Sequence, residues 1–199
     1  MSVATIEANP RPGTRMTVEA FESLGLSEDS TLVLIGGVVY DETGCETHMT
    51  KRNRQHARTE LLLGQLLQNW VDQTKFRGKV FSGEVGCVVS EHGLSVGIDV
   101  ALFENSVLEH VQDGDAYITG PPSLAAEILS PSDQVESIEA KIRAYLRAGV
   151  EQVWIISPGL QSVTVHSPNQ NPRIYSRNST IDGGSSLPGL SILVDRLFE

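Results

Sequence analysis

Residues 123–158 read SLAAEILSPSDQVESIEAKIRAYLRAGVEQVWIISP, and this stretch decides the fold. Its apolar run at 124–129 is interrupted only by Glu127, which is typical of a strand buried on both faces. A Ser-Pro turn follows, and Ser132 or Asp133 can cap the helix that comes next. One face of that helix is expected to lie against the sheet, because apolar residues recur at helical spacing: Val135, Ile138, Ile142, Tyr145 and Leu146.

The same stretch ends in a second strand. Gly149 favours the end of the helix, and residues 153–156 are again apolar. A strand, a helix and a strand in this order predict two parallel strands joined by a right-handed crossover. The chain is therefore expected to have an α/β (α+β) fold, in which helices flank a mixed sheet.

Length and composition predict a single domain. The chain has 199 residues, of which 40% are hydrophobic, and this is enough for a substantial core. Residues 1–15 contain Pro10, Pro12 and Gly13 and are expected to form a flexible arm, with the domain at 16–199. Neither a membrane-spanning run nor the apolar core of a signal peptide is found, so a cytoplasmic location is expected. Cys45 and Cys87 lack metal-ligand spacing and are expected to be reduced.

Outside residues 123–158, the pattern alternates between helix and strand. A short helix capped by Thr17 is followed by a hairpin of residues 31–35 and 38–40, turned at Gly36-Gly37. The remaining expectations are a helix at 52–74, strands at 79–89 and 95–103, a polar loop at 104–122, a hairpin at 163–166 and 173–176, and an apolar segment at 187–198 that packs on the sheet.

Two of the predicted strands consist mostly of apolar residues typical of a core, and each contains a single carboxylate. Glu127 is one, and Asp99 is the other; alternation places Asp99 on one face of its strand with Ala101 and Phe103, opposite Ile98, Val100 and Leu102. A buried carboxylate has to be protonated, paired with a base or bound to a cation. Two of them on neighbouring strands would form a hard-oxygen site suited to Mg²⁺. The alternative is a structural pairing with a nearby Arg or Lys.

The two longer helices carry polar residues that could join these carboxylates. His56 and Glu60 lie one turn apart at the apolar side of the first, where His56 is either a hydrogen-bonded core residue or part of a site. Lys141 lies at the border of the apolar stripe of the second, from which its long side chain could reach over the end of the sheet. The alternative for Lys141 is an ordinary exposed lysine.

The net charge of −10 argues against a protein that coats nucleic acid broadly, because such binding depends on neutralising phosphates. A local basic site remains open. Two basic groups are present, and each is either a solvated helix end or such a site: Lys51, Arg52, Arg54 and Arg58, and Lys75, Arg77 and Lys79. The sequence contains no Gly-rich phosphate loop, no GxSxG and no HExxH motif.

The order of motifs resembles a known family. Pro-Pro-x-Leu-x-x-Glu-x-Leu-Ser-Pro at 121–131 is followed by Lys-x-x-x-Tyr-x-x-x-Gly-Val at 141–150 and by a strand that ends in Pro158. With the helix His and the strand Asp before it, this pattern is similar to the Uma family of restriction-endonuclease-like proteins, within the PD-(D/E)XK nuclease superfamily. The resemblance covers roughly residues 16–196. It implies a restriction-endonuclease-like fold with a divalent-metal site at the end of the sheet.

Carried over residue by residue, the resemblance assigns Asp99 and Glu127 to the two acidic positions of the family and His56 to its helix histidine. Leu129 stands where the superfamily has a lysine after the Glu, and Lys141 matches a lysine that has migrated to the following helix. The sequence departs from the family pattern at three positions. Ile98 replaces a Pro, Val33 a Glu of the first hairpin, and Ser157 an Asp.

These residues lead to the hypothesis of an endonuclease that hydrolyses DNA phosphodiester bonds with Mg²⁺ or Mn²⁺. Asp99, Glu127 and the backbone carbonyl near Ile128 would hold the metal. Lys141 would orient the attacking water, and His56 or Glu60 would assist. Two alternatives are a catalytically inactive nucleic-acid-binding or scaffold protein and a phosphodiesterase for RNA or a nucleotide. A nuclease that cuts both strands would favour a homodimer.

Overall fold

The computed structural model describes residues 9–27, 30–42, 54–112, 114–131 and 133–199. Cys45, Lys51, Arg52 and Ser132 therefore lie outside the described residues. The helices are α1 (Val18–Glu22), α2 (Arg54–Thr74), α3 (Asn105–Leu108) and α4 (Val135–Ala148), with 3-10 turns at Ser90–His92 and Val194–Leu197. The strands are β1 (Leu32–Ile35), β2 (Val38–Asp41), β3 (Gly78–Val89), β4 (Leu94–Glu104), β5 (Ile118–Thr119), β6 (Leu124–Ile128), β7 (Gln152–Ser157), β8 (Ser162–His166), β9 (Arg173–Tyr175), β10 (Thr180–Asp182) and β11 (Ser191–Leu193).

Within these residues, nine strands form one mixed sheet. Its main order is β2-β1-β4-β6-β7-β8-β9, while β3 pairs with β4 and β5. β6 and β7 run parallel, with Ile128 opposite Ile156, and α4 connects them. The strand–helix–strand unit predicted from the sequence is therefore confirmed. β10 and β11 form a separate antiparallel pair.

Strand β4 changes its neighbour half-way along one edge. β3 pairs with β4 from Leu94 to Glu104, so β1 and β6 have to share the other edge. β1 pairs there at Ser95, and β6 pairs from Val100 to Leu102. Asp99 therefore lies in the fork where β1 and β6 diverge from β4. The position matters because, where a strand loses its neighbour, its backbone N–H and C=O groups need other hydrogen-bond partners.

A bulge in β3 lies across β4 from this fork. The register of the two strands shifts between Ser82 and Val85, and Gly83 and Glu84 have φ values of 90° and 58°. Bulges bend a strand and increase its twist. The strict alternation predicted for β4 is wrong at this point, because Ile98 packs in the same cluster as Ala101 and Phe103 rather than with Val100 and Leu102.

The two longer helices cover opposite faces of the sheet. α2 packs with Val100, Leu102 and Trp154, and the C-terminal apolar segment joins this cluster through Leu187, Leu190, Ile192, Val194 and Leu197. That segment thus packs on the sheet as predicted. α4 packs on the other face, with Ala101, Phe103 and Ala125. None of the helices among the residues described is both long and apolar enough to span a membrane.

The face that α4 buries differs from the predicted one only in part, because Ile138, Ile142, Tyr145 and Leu146 do pack against the sheet. Val135 is 65% exposed, so it does not belong to the buried stripe. Lys141 lies inside the buried face and not at its border. The buried residues of the helix are Ala140, Lys141, Ala144, Tyr145 and Ala148. The alanines add little bulk between the helix and the sheet, so the long side chains of Lys141 and Tyr145 can be accommodated there.

The ends of α4 are only partly as predicted. Asp133 is not its cap: Gln134 occupies the N-cap position without a side-chain hydrogen bond, and the Asp133 carboxylate instead accepts from the Ser130 backbone N–H at 2.6 Å. Gly149 ends the helix in the left-handed conformation, φ 98°, as expected.

The N-terminal region agrees with its sequence pattern. The Thr17 hydroxyl accepts from Ala20 N–H at 3.2 Å and caps α1. Gly36 and Gly37 both have positive φ, 59° and 74°, as a two-residue hairpin turn requires. The predicted arm at 1–15 lies partly outside the described residues, and Gly13 N–H donates to the Val39 carbonyl at 2.7 Å. The predicted loop at 104–122 is wrong in part, since α3 and β5 lie within it.

Candidate active site

Asp99 is held in the fork by groups from β6 and α2. It is 7% exposed. Its Oδ2 accepts a hydrogen bond from the backbone N–H of Ile128 at 2.8 Å, just beyond the last β4–β6 pair. Its Oδ1 lies 3.2 Å from Nε2 of His56 on α2. The side chain thus replaces a missing strand neighbour, and the carboxylate remains at the divergence point of the sheet.

Glu127 is the next residue along the same ladder. Val100 pairs with Ala126 in antiparallel register, and Asp99 and Glu127 are the next residue of each strand beyond this last pair. The Tyr145 hydroxyl donates to Glu127 Oε1 at 2.5 Å, and Lys141 Nζ lies 3.3 Å from Oε2. Burial raises the pKa of Glu127 to about 7, although the Lys141 ammonium acts in the opposite direction. The negative charge of Asp99 also helps to raise the pKa of Glu127, so the two carboxyl groups interact.

Lys141 is buried between two carboxylates. Its residue exposure is 8%, and its Nζ contacts Oε1 of Glu42 as well as Oε2 of Glu127. Burial alone would lower the pKa of Lys141, but the charges of Glu127 and Glu42 outweigh this effect and raise it. The lysine is therefore ionised at neutral pH, with its ammonium group at the end of the sheet rather than in solvent.

Glu42 was not identified from the sequence. It follows β2 directly, and its N–H donates to the Thr31 carbonyl at 2.9 Å, which continues the hairpin ladder by one residue. Strand alternation places it on the same side as Tyr40, and Tyr40 packs in the α4-facing cluster. That alternation was the available signal. The contact with Lys141 joins residues 99 positions apart, and one sequence gives no sign of it.

His56 and Glu60 close the site from α2. His56 Nε2 lies 3.9 Å from Glu60 Oε2, and both side chains are almost buried. His56, Glu60 and Asp99 each offer one ligand atom, and these three atoms lie within 4.8 Å of one another. Asp99 thus belongs to two groups of polar side chains. One group contains Glu127 and Lys141, and the other contains His56 and Glu60 of α2.

The five residues predicted from the sequence are therefore brought together, and Ile128 lies with them through its backbone N–H. Glu127, Ile128, Lys141 and Glu42 also line one small cleft of about 50 Å³. The donors fit a hard divalent cation, because carboxylate oxygens have two lone pairs and each retains one beside its hydrogen bond. His56 adds a nitrogen that such an ion can share with the carboxylates.

Comparison with known families decides the classification. A sequence model of the family Uma2, described as "Putative restriction endonuclease", matches residues 40–195. The chain belongs to the Uma2 family. The matched region contains Glu42, His56, Asp99, Glu127 and Lys141, so the whole polar cluster lies within the part of the chain that defines membership.

The Uma2 fold of this chain has a counterpart among solved structures. The crystal structure of a protein from Anabaena variabilis, described as "a putative nuclease", is similar with a TM-score of 0.75. The likeness covers 92% of this chain and 97% of that chain at 20% sequence identity. It confirms the predicted restriction-endonuclease-like fold. Among the curated proteins, no sequence match was found.

The departures from the Uma2 pattern leave the cluster intact. Val33 is buried in the α4-facing core and offers no carboxylate, whereas Glu42 at the end of the neighbouring strand does. Ile98 is fully buried. The Ser157 hydroxyl accepts from Leu160 N–H at 3.4 Å in the turn after β7. The three positions thus lie outside the cluster of polar side chains around Asp99.

Proposed function

We propose that this Uma2 protein is an endonuclease that hydrolyses DNA phosphodiester bonds with Mg²⁺ or Mn²⁺. The observation that carries the proposal is the position of Lys141, whose ammonium lies 3.3 Å from the Glu127 carboxylate although the two are on different elements. A buried lysine beside two acidic residues in a strand fork is an arrangement suited to phosphoryl chemistry. Family membership supports the same conclusion.

Asp99, Glu127 and the Ile128 carbonyl would hold the metal, with His56 and Glu60 beside them. A bound divalent cation supplies a polarised phosphate and a water of lowered pKa. The chain itself fixes the donors. Ile128 N–H and His56 hold the Asp99 carboxylate from two sides, and Tyr145 fixes one oxygen of Glu127 at 2.5 Å.

Lys141 would act on the phosphate directly. Its ammonium is already desolvated and ionised, so it can offset the charge that develops on the phosphoryl oxygens without reorganising. Its second carboxylate partner, Glu42, has the more exposed side chain, 34% against 14% for Glu127. A substrate phosphate would therefore replace Glu42 more readily than Glu127 as a partner of Lys141.

The alternative of an inactive nuclease-fold protein rested on the acidic charge balance of the chain and on Leu129, which stands in place of the superfamily lysine. Lys141 supplies an ammonium at Glu127 from α4, so the substitution at 129 does not leave the site without one. The geometry therefore favours an enzyme over a scaffold. The predicted homodimer and cytoplasmic location stay predictions.

The test is cleavage with defined substrates. The purified protein is incubated with supercoiled plasmid, linear duplex, single-stranded DNA and RNA, with Mg²⁺, with Mn²⁺ and with EDTA. We expect metal-dependent cleavage of DNA that Asp99→Ala abolishes. Cleavage of RNA alone would indicate the phosphodiesterase alternative. No cleavage with any substrate, or equal cleavage by wild type and Asp99→Ala, would contradict the proposal.

A further inference from the structure

A second cavity, of about 250 Å³, opens beside the cluster around Asp99. It is lined by Arg54, Gln55, Arg58, Thr59, Pro158, Gln161, Phe198 and Glu199. Thr59 lies one turn after His56 on α2. Pro158 follows β7 directly, and Ile156 of that strand pairs with Ile128. The cavity therefore lies at the same end of the sheet as the proposed active site and continues from it along α2.

The lining of this cavity contains two arginines and one acidic residue, Glu199. Arg54 and Arg58 are one turn apart on α2, and both are exposed. Among the described residues, Arg54 forms no ion pair, and Arg58 Nε–H donates to a backbone oxygen of Glu199 at 3.1 Å. The Glu199 carboxylate pairs with Arg196 at 3.1 Å. Like charges one turn apart disfavour a helix slightly, and a bound anion would remove that penalty.

The rest of the lining provides an aromatic ring and an amide. Phe198 is partly buried against the α2-facing core, and another part of its surface lines the cavity. The Gln161 side-chain oxygen accepts from Arg177 at 3.1 Å, which orients its NH₂ group as a donor. Arginines for a phosphate and a ring for a base are the groups by which proteins bind single-stranded nucleic acid.

We propose that this cavity binds a nucleotide next to the cleaved phosphodiester bond, with its phosphate on Arg54 and Arg58 and its base against Phe198. The inference rests on the proposed nuclease function and narrows its substrate. A base can enter the cavity only when it is unstacked from its neighbours, so single-stranded or frayed DNA is bound better than intact duplex. The local charge also allows an acidic chain to hold a polyanion.

The test measures binding, not turnover. Fluorescence anisotropy follows a labelled single-stranded oligodeoxynucleotide and the matching duplex, with Ca²⁺ present and over times at which no product forms. The variants are Arg54→Ala, Arg58→Ala and Arg58→Lys. The matched control is Arg143→Ala, which removes an exposed arginine of α4 that pairs with Glu139 at 3.1 Å. All variants are first checked for an unchanged melting temperature.

We expect each alanine variant of the cavity to bind single-stranded DNA about tenfold more weakly, with a salt slope smaller by about one. Arg58→Lys keeps the charge and is expected to retain most of the affinity. Phe198→Leu keeps an apolar side chain but loses the ring, and we expect about fivefold weaker binding of the single strand and little change for the duplex. Arg143→Ala should bind as wild type does.

The outcomes separate this inference from the proposed function. If wild type cleaves DNA while Arg54→Ala and Arg58→Ala bind it like wild type, the inference is overturned and the function stands. An equal loss for Arg143→Ala would also overturn it, because the effect would then be one of net charge. If wild type binds single-stranded DNA through these arginines and never cleaves it, the proposed function fails and the cavity remains a nucleotide site.

Discussion

The backbone N–H of Ile128 donates to the carboxylate of Asp99 at 2.8 Å, just beyond Val100 and Ala126, the last paired residues of β4 and β6. A side chain thus takes over a ladder position where the two strands separate. The same carboxylate lies 3.2 Å from His56. A metal at Asp99 would therefore lie next to both β6 and α2, because Ile128 and His56 meet at this side chain.

Asp99→Asn and Asp99→Ala separate the structural from the chemical role of this residue. Asparagine keeps an oxygen that can accept from Ile128, whereas alanine leaves a buried N–H without its acceptor. We expect alanine to lower the free energy of unfolding by about 1–3 kcal/mol more than asparagine does. Both changes should abolish cleavage. Urea unfolding in EDTA and a plasmid assay measure the two effects, and equal destabilisation would show that the charge, rather than the hydrogen bond, holds the fork.

Metal binding should raise the thermal stability of the protein. At a metal concentration about 100-fold above Kd, binding to the folded state adds about 2.7 kcal/mol. For a chain of this size that corresponds to a rise in Tm of roughly 5–10 °C. We expect this rise with Mg²⁺ or Mn²⁺ in wild type and its loss in Asp99→Asn. A Tm that does not change across millimolar metal would support a purely structural pairing of the carboxylates.

The pKa of Glu127 predicts the direction of a pH effect. In the folded protein it is about 7, above the ordinary value of 4.5, so the folded state binds more protons in this window. The stability that this group contributes is fully present below pH 4.5 and is lost as pH rises through about 7, by roughly 3 kcal/mol in total. Metal affinity should rise over the same range, because the metal binds the ionised form. Glu127→Gln should remove this pH dependence of Tm in EDTA; a dependence that persists in the variant would assign it to another group.

Glu42 is the more exposed of the two carboxylates that contact Lys141, so its replacement tests the solvent-facing side of the cluster. Glu42→Gln keeps the shape of the side chain and removes one negative charge beside Lys141, whose second partner, Glu127, remains. We expect KM for DNA to fall by about two- to fivefold, the size of a partly exposed charge interaction, with the metal Kd unchanged. Steady-state kinetics and metal titration check both quantities. A loss of metal affinity would instead make Glu42 a ligand.

Periodicity accounts for the parts of the fold that were predicted. The buried run at 124–129, the Gly149 helix end and the position of Asp99 in its strand are local properties, and two neighbouring strands then place Asp99 beside Glu127. The fork itself could not be predicted from the sequence, because it depends on β1 and β6 sharing one edge of β4. The bulge at Gly83 and Glu84, which lies opposite the point where the alternation of β4 breaks, has no hydrophobic signature.

Lys141 illustrates the limit of hydrophobic patterning. The stripe predicted from the large apolar residues placed Lys141 at its border. In the structure, α4 approaches the sheet along its alanines, and alanines contribute little to a hydrophobic pattern. The interior position of the lysine depends on partners that lie 14 and 99 residues away, and the more distant one, Glu42, carries no motif. The alternative of an exposed lysine is wrong, because only 8% of Lys141 is accessible.

Replacement of Lys141 therefore has consequences for both stability and catalysis. Lys141→Ala leaves two acidic side chains, one of them buried, without their cation, and breaking a buried pair in this way costs about 3–5 kcal/mol. Its stability effect alone could mask a catalytic one. The more informative comparison is Lys141→Ala in a Glu42→Gln background, in which one of the two acidic partners is already neutral and less charge is left unpaired.

In both backgrounds we expect the loss of Lys141 to lower kcat by about 10²–10³-fold, as for the removal of one preorganised electrostatic donor. The metal Kd should change far less, because Asp99 and Glu127 are retained. The measurements are single-turnover cleavage at saturating metal, at a temperature well below the Tm of each variant, and metal titration by the shift in Tm. If the folded variants cleave DNA at the wild-type rate, Lys141 is a structural counter-ion of Glu127 and the attacking water is oriented by another group. If kcat falls while Tm in the Glu42→Gln background is nearly restored, the ammonium acts on the phosphate itself.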